Sequence, residues 1–177
     1  MIVLLFGAPG TGKSTYAKYI SDKMGLTWIS TGALFRQIAQ SDSRIRSLLD
    51  SGQLIPDEEV NAVLFGRLSE TGGNFILDGF PRTTRQAESF QKFLQERGWK
   101  IDLIFHLQVP VQVIVSRMTG RGRADDTVET IKDRFEIFEK ETAPVLGYFK
   151  AQGVTAFEID NSPPQETVKK KFDQFFT

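Results

Sequence analysis

The chain has 177 residues, a length that fits one core domain with small appended subdomains. Its 22 basic and 22 acidic side chains cancel, so it has no net charge to attract nucleic acid or a membrane. It contains no cysteine, which excludes disulfides and thiolate zinc sites, and its single histidine, His106, is interpreted as a structural strand residue. Because the N-terminal residues show no signal-peptide pattern and no apolar run approaches membrane-spanning length, we expect a cytoplasmic protein without a membrane partner.

The first predicted element is a buried strand, Ile2–Phe6, and a glycine-rich turn follows it directly. Residues 7–15 read GAPGTGKST, which matches the pattern Gly-x-x-x-x-Gly-Lys-Ser of a phosphate-binding loop. Glycines let backbone N–H groups converge on phosphate oxygens at a helix N-terminus, where partial positive charge collects. Lys13 is then expected to reach the β- and γ-phosphates and Ser14 to face magnesium. The alternative is an ordinary strand-to-helix turn, but the pattern favours binding of a nucleoside triphosphate.

Strands and helices alternate along the rest of the chain. The further predicted strands are residues 27–29, 74–77, 103–109 and 154–159. They are apolar and largely lack a two-residue alternation, which is typical of a parallel sheet covered on both faces. Helices are predicted after Lys13 and at residues 34–39, 43–50, 58–70 and 84–97. This order predicts a doubly wound α/β domain.

The clearest helix is predicted to begin near Thr127, where Asp126 and Glu129 match an Asp-x-x-Glu capping pattern. Residues at spacings of three and four then form one stripe that is expected to be buried. These residues are Ile131, Phe135, Phe138, Thr142, Val145 and Phe149. Pro144 is expected to kink or divide this helix.

Three short stretches carry polar groups that suit nucleotide binding. Asp78 ends an apolar predicted strand, where a carboxylate can hold magnesium or its water ligands. Arg82 and Gln86 lie four residues apart at the start of a predicted helix, so Arg82 can bind a phosphate through two hydrogen bonds and Gln86 can contact the edge of a base. Arg36 follows the turn at residues 30–32 by one helical turn. Each stretch, taken singly, is equally consistent with a capped helix and solvated arginines.

A segment rich in arginine and glycine occupies residues 117–126, and its first seven positions hold three arginines and two glycines. Arg134 lies eleven residues after Arg123, about three helical turns, so the two can share a face. Flexible arginines suit the neutralisation of a phosphoryl group in transfer. The segment is therefore predicted to be a mobile cationic flap. The alternative is a solvated loop whose charges pair with Asp125 and Asp126.

Taken together and in order, these motifs resemble those of the adenylate kinases with a short lid. The resemblance rests on GAPGTGK, STG-x-x-x-R, PDE, DGFPRT-x-x-Q, GR-x-DD and TAP, which lie within residues 2–159. It implies reversible transfer of the γ-phosphoryl group of Mg–ATP to AMP, giving two ADP. It also implies a monomer built on a P-loop NTPase-type, five-stranded parallel sheet, and no nucleic acid partner. Residues 1–177 would form one kinase domain, with an AMP-binding arm at 30–55 and a lid at 120–126 that is too short to hold zinc.

The resemblance implies roles for individual residues. Those expected to contact ATP are Gly10, Thr11, Gly12, Lys13, Ser14, Thr15, Arg117, Arg121 and Pro163. Those expected to contact AMP are Thr31, Arg36, Gln53, Leu54, Ile55, Gly79, Phe80, Pro81, Arg82, Gln86, Arg123 and Arg134. The implied catalytic residues are Lys13, Asp78, Arg82, Arg121, Arg123 and Arg134. Magnesium would be held through substrate phosphates and water, with Ser14 and Asp78 nearby.

The chain departs from this family pattern at two places that bear on function. Ala33 stands where an aspartate associated with magnesium-bound water is usual, which motivates an alternative: a nucleotide-binding regulatory module with impaired catalysis. The turn at residues 160–164 replaces a turn that usually contains glycine near the ATP base, and we expect looser donor specificity. A second alternative is a UMP or CMP kinase on the same scaffold, although Thr31 and Gln86 favour adenine.

Overall fold

The computed structural model of the chain describes residues 1–120 and 127–176. A five-stranded sheet lies at its centre, with all neighbouring strands parallel and in the order β2-β3-β1-β4-β5. The strands are β1 (Ile2–Phe6), β2 (Thr27–Ser30), β3 (Phe75–Asp78), β4 (Leu103–Gln108) and β5 (Ala156–Asp160). The predicted α/β class and parallel five-stranded sheet are confirmed, and each predicted strand lies within two residues of its observed bounds.

Both faces of the sheet are covered by helices. The helices are α1 (Lys13–Met24), α2 (Thr31–Ile38), α3 (Ser43–Asp50), α4 (Asp57–Ser69), α5 (Thr84–Gln95), α6 (Val111–Thr119), α7 (Val128–Ile137), α8 (Ala143–Ala151) and α9 (Gln165–Asp173). Strand β1 shows why the strands lack alternation: Leu4 and Phe6 pack into one core, Val3 and Leu5 into the other, and all four are at most 3% exposed. Among the described helices, none combines the length and apolar character needed to cross a bilayer.

The sequence pattern does not predict α6 and α9. Both begin directly after a proline, Pro110 and Pro164, whose carbonyl accepts a hydrogen bond from the N–H four residues later. Helix α6 is rich in β-branched residues, which disfavour helix in isolation. Its Ile114 and Met118 are buried against the loop that follows β1 and against α7, and this packing outweighs the low intrinsic propensity.

The long predicted helix after residue 127 is divided, as Pro144 indicates. Helix α7 passes into one π-helical turn, Phe138–Thr142, and α8 begins with Pro144 in its first turn. The predicted stripe is buried except at Phe135, which is half-buried. The predicted cap is wrong in its residue: the Thr127 side chain accepts the hydrogen bond from the N–H of Thr130 at 3.1 Å. Asp126 itself lies outside the described residues.

Candidate active site

A cleft opens at the carboxyl ends of the strands, the edge of a parallel sheet where ligands of open α/β folds bind. Its volume is about 410 Å³, and it extends from the loop after β1 to the end of β3 and to helices α2, α6 and α7. The loop, residues 7–12, turns sharply because several of its glycines adopt positive φ. At Gly12, which has φ 88°, an added Cβ would lie only 2.7 Å from Nδ2 of Asn161. A side chain at this position would therefore disrupt the loop.

The loop leads directly into helix α1. Thr11 donates from both its N–H and its hydroxyl to the carbonyl of Ala8, at 3.2 and 2.9 Å, which closes the turn. Gly12 is the N-cap of α1 and has no side chain to cap the first N–H groups. These N–H groups and the positive end of the helix dipole are thus directed at whatever occupies the cleft, an arrangement suited to a phosphate.

Lys13 provides a positive charge beside this loop. Its Nζ donates to the carbonyls of Gly7 at 2.7 Å and Ala8 at 3.0 Å, so the side chain lies over the loop and also lines the cleft. The amine can move from these neutral acceptors to a phosphate oxygen, which is a stronger, charged acceptor.

Ser14 and Asp78 bring two hard oxygen ligands together at the floor of the cleft. The Ser14 hydroxyl donates to Oδ2 of Asp78 at 2.6 Å, and Asp78, at the end of β3, is 4% exposed. Magnesium prefers carboxylate, hydroxyl, phosphate and water oxygens. Within residues 1–120 and 127–176 no cluster of three His, Cys, Asp or Glu side chains could hold a metal by itself. The pair therefore fits magnesium that takes its remaining ligands from substrate phosphates and water.

Three arginines from different elements line the other half of the cleft: Arg36 from α2, Arg82 after β3, and Arg134 from α7. Arg82 donates from Nε to the carbonyl of Gly79 at 2.8 Å, and Nη2 of Arg134 donates to the carbonyl of Leu49 at 3.0 Å. Burial lowers the pKa of Arg82, the nearby charges of Arg134 and Arg36 lower it further, and Asp78 acts in the opposite direction. Three neighbouring guanidinium groups form a site for an anion with several charged oxygens.

Most of the predicted site residues meet in this one cleft. The predicted residues that line it are Gly10, Gly12, Lys13, Ser14, Thr15, Arg36, Gln53, Leu54, Asp78, Gly79, Phe80, Pro81, Arg82, Arg117 and Arg134. Thr11, Thr31, Ile55, Gln86 and Pro163 do not belong to the lining. Ile55 packs in the core and is 7% exposed. Arg121, Arg123 and the rest of the predicted lid after Gly120 lie outside the described residues.

Thr31 lies beside the cleft with an unused hydrogen-bonding group. It is 5% exposed, and its hydroxyl has no hydrogen-bond partner among the residues that the structure describes. Its neighbours Ser30 and Gly32 line the cleft. Because a buried hydroxyl without a partner is unfavourable, a ligand that reached Thr31 would gain from satisfying it.

Gln86 is buried within a hydrogen-bonded network rather than exposed to the cleft. It is 1% exposed, its Oε1 accepts from the N–H of Arg82 at 2.7 Å, and its Nε2 donates to Oδ1 of Asp57 at 2.8 Å. An amide has two N–H donors and an oxygen with two lone pairs, so one donor and one acceptor remain available to an adenine edge. A base can reach them only if the surrounding side chains move.

The structure also identifies site residues that sequence reasoning missed. Asn161, in the turn after β5, is 3% exposed, and its side chain contacts both the phosphate-binding loop and α1. Thr142 donates from its hydroxyl to the carbonyl of Arg82 at 2.9 Å and lines the cleft. The TAP tripeptide marked Thr142, although only as part of a family resemblance. Sequence reasoning marked the turn at residues 160–164 as a whole, but not Asn161 within it, because the partners of Asn161 lie about 150 positions earlier in the chain.

Comparison with known proteins gives a consistent result. The model of the adenylate kinase family matches residues 5–154, which include every residue that lines the cleft. The adenylate kinase of Mycobacteroides abscessus is 43% identical over 156 residues, covering 85% of this chain and 86% of that protein. Those of Mycolicibacterium paratuberculosis and Mycobacterium tuberculosis are 41% and 39% identical over 158 residues, covering 86% of this chain and 87% of each relative.

Proposed function

The chain belongs to the adenylate kinase family, and we propose how its cleft carries out the reaction of that family. It is a phosphotransferase that moves the γ-phosphoryl group of ATP to AMP, reversibly, giving two ADP. The observation that carries the proposed mechanism is the convergence, in one cleft, of a phosphate-binding loop, the Ser14–Asp78 pair and the Arg36, Arg82 and Arg134 side chains.

The donor phosphates of ATP would bind on the loop side of the cleft. Backbone N–H groups from Gly10 to Thr15 would donate hydrogen bonds to the β- and γ-phosphates, since this stretch ends in the uncapped first turn of α1. Lys13 would exchange its present carbonyl acceptors for a γ-phosphate oxygen. Arg117, which lines the same half of the cleft, would lie against the base, and Arg121 would contact the phosphates.

AMP would bind on the arginine side. Arg36 and Arg82 would hold its phosphate, and the unsatisfied hydroxyl of Thr31 would gain a partner there. Gln53 and Leu54 would border the base and ribose from the arm at residues 30–55. Gln86 would read adenine with its spare donor and acceptor after the side chains around it move.

The reaction needs no strong general base, because the phosphate of AMP is already an anionic nucleophile. Rate enhancement would come from alignment of the two phosphates and from stabilisation of the charge on the transferred group. Arg134 reaches the cleft from α7, and we propose that it bridges donor and acceptor phosphates together with Arg123 of the lid. Closure of the lid would exclude water, which otherwise competes as acceptor.

Magnesium is part of the proposal. It would be held through substrate phosphates and water, with the Ser14 hydroxyl and the buried Asp78 carboxylate nearby, since the oxygens of these two side chains meet in the cleft. When bound, magnesium supplies positive charge that neutralises the β- and γ-phosphate oxygens. The chain's own contribution is to fix these two oxygen ligands beside Lys13.

The proposal extends to the surroundings of the enzyme: a cytoplasmic monomer whose partners are ATP, AMP and ADP. The equal numbers of acidic and basic residues support the absence of a nucleic acid partner. Ala33 is exposed at the start of α2 and offers no carboxylate, which keeps impaired catalysis as an outcome to be tested.

The test is product formation by the purified chain with Mg–ATP and, separately, AMP, UMP, CMP, GMP or water as acceptor. The proposal expects two ADP for each AMP consumed and little product from the other acceptors. Equal or better transfer to UMP or CMP would assign the enzyme to those acceptors. Binding of ATP with no transfer to any acceptor would support the regulatory alternative, and restoring aspartate at Ala33 would then be the first variant to make.

A further inference from the structure

Asn161 lies where three parts of the proposed ATP site meet. It follows β5 in the turn at residues 160–164, and its N–H donates to the carbonyl of Gln108 at the end of β4 at 2.9 Å. Its side chain is directed toward the phosphate-binding loop, where Nδ2 donates to the carbonyl of Thr11 at 2.7 Å. Its Oδ1 accepts from the hydroxyl of Tyr16 on α1, and its carbonyl accepts from Nη2 of Arg117 at 2.9 Å.

The hydrogen bond to the carbonyl of Thr11 determines which way the Thr11–Gly12 peptide group faces. In a trans peptide the C=O and the following N–H point in opposite directions. With the carbonyl of Thr11 held by Asn161, the N–H of Gly12 is directed away from Asn161. Gly12 lines the cleft, so this N–H belongs to the set that would meet a phosphate.

The contact is close and well buried. Asn161 is 3% exposed, and its Nδ2 occupies the space that a Cβ at residue 12 would need, at 2.7 Å. Tyr16 is 1% exposed, and burial raises its pKa above the usual 10.0, so the phenol keeps its proton and donates to Oδ1. The Tyr16 hydroxyl and the carbonyl of Thr11 both favour this orientation of the amide. The carbonyl alone is sufficient to set it, because a carbonyl can only accept a hydrogen bond and so selects the N–H side of the amide.

We propose that Asn161 is a positioning residue of the ATP site: its side-chain amide holds the Thr11–Gly12 peptide in the orientation that binds phosphate. The inference rests on the proposed function, in which this loop binds ATP. Because Arg117 is held by the carbonyl of residue 161 and not by its side chain, substitution of the side chain leaves that contact available.

The test compares Asn161→Leu, which has the same branched shape and no hydrogen-bonding group, with the unaltered chain. Tyr16→Phe is the matched control, because it removes a bond to the same amide and leaves the bond to Thr11 intact. Binding of Mg–ATP, inorganic tripolyphosphate and AMP is measured separately by titration calorimetry. Asn161→Ser, too short to reach Thr11, is measured in parallel, so loss of folding in one variant does not remove the test.

We expect Asn161→Leu and Asn161→Ser to weaken both Mg–ATP and tripolyphosphate by about tenfold, the effect of losing one hydrogen bond to a charged group. AMP binding by these variants, and ATP binding by Tyr16→Phe, should change by less than about threefold. Unchanged ATP affinity, weaker ATP with unchanged tripolyphosphate, or equal weakening of ATP and AMP would each overturn the inference. Failure of the unaltered chain itself to bind Mg–ATP would overturn the proposed function as well.

Discussion

Asp57 connects the start of helix α4 to the segment that carries Arg82, and its replacement by alanine should be costly. Its Oδ1 accepts from Nε2 of Gln86 at 2.8 Å, and its Oδ2 accepts from the hydroxyl of Thr83 at 2.9 Å. Gln86 is 1% exposed, so Asp57→Ala leaves a buried donor without a partner. The hydroxyl of Thr83 is less buried and can turn to water.

The magnitude follows from these contacts. A hydrogen bond to a charged group contributes about 1.5–3 kcal/mol, and a carboxylate in the first turn of a helix adds about 0.3–1 kcal/mol. The hydrogen bond from buried Gln86 is counted in full, and the bond from Thr83 is counted in part because its hydroxyl can turn to water. Asp57→Ala should then lower the free energy of unfolding by about 3 kcal/mol. For a chain of this size that is a fall in Tm of about 6–12 °C.

Asp57→Asn is the matched control. Its amide oxygen can accept from Gln86 and its amide N–H can donate to the Thr83 oxygen, so the hydrogen bonds remain. The loss is then the helix-dipole contribution, about 0.3–1 kcal/mol, and the extra strength of a hydrogen bond to a charged group, about 1 kcal/mol. Tm is measured for both variants by calorimetry, together with KM for AMP, which should rise for Asp57→Ala because Gln86 is no longer fixed. Equal losses of Tm in the two variants would refute the reasoning, since they would assign the stability to the charge rather than to the hydrogen bonds.

Three further predictions concern the protonation of His106, the helix propensity at Gly66 and the packing of Leu64. Burial lowers the pKa of His106 below its usual 6.5, so as the pH falls the unfolded chain binds a proton before the folded chain does. Urea unfolding should therefore show stability decreasing as the pH falls through 6.5, and His106→Gln should remove that part of the decrease. Gly66 lies inside α4 with no atom within 4 Å of an added Cβ, so Gly66→Ala should raise stability by about 0.5–1 kcal/mol in thermal unfolding, and any decrease would contradict this. Leu64, in the same helix, is 0% exposed, so Leu64→Ala should lower the free energy of unfolding by about 2–5 kcal/mol in thermal unfolding. Val63 is 36% exposed, and Val63→Ala should lower it by less than about 1 kcal/mol.

The parts of the site that could be predicted from sequence are those whose signal is local. The loop needs a strand, a set of glycines, Lys13 and the start of a helix, all within residues 2–15, and the structure has each of them in that order. The strand ending in Asp78 and the helix division at Pro144 were equally local and are confirmed.

The parts that could not be predicted depend on contacts between distant segments. Helix α6 exists because Ile114 and Met118 pack against other elements, despite a composition that disfavours helix. Gln86 suits base recognition by its chemistry, but its burial against Asp57 follows only from the packing of α4 on α5. Asn161 is an ordinary turn residue by sequence, and only the fold brings it to Thr11.

The central claim is that the cationic side chains of the cleft accelerate the transfer of a phosphoryl group from ATP to AMP. It is tested most directly by kcat for ADP formation, at saturating Mg–ATP and AMP, in Arg82→Ala and Arg134→Ala. Arg67→Ala is the control, because Arg67 on α4 is exposed, pairs with Glu70 and does not line the cleft. We predict that each cleft variant loses about 10²–10³-fold in kcat while Arg67→Ala stays within about twofold. Cleft variants that turn over at the rate of the unaltered chain would contradict the account.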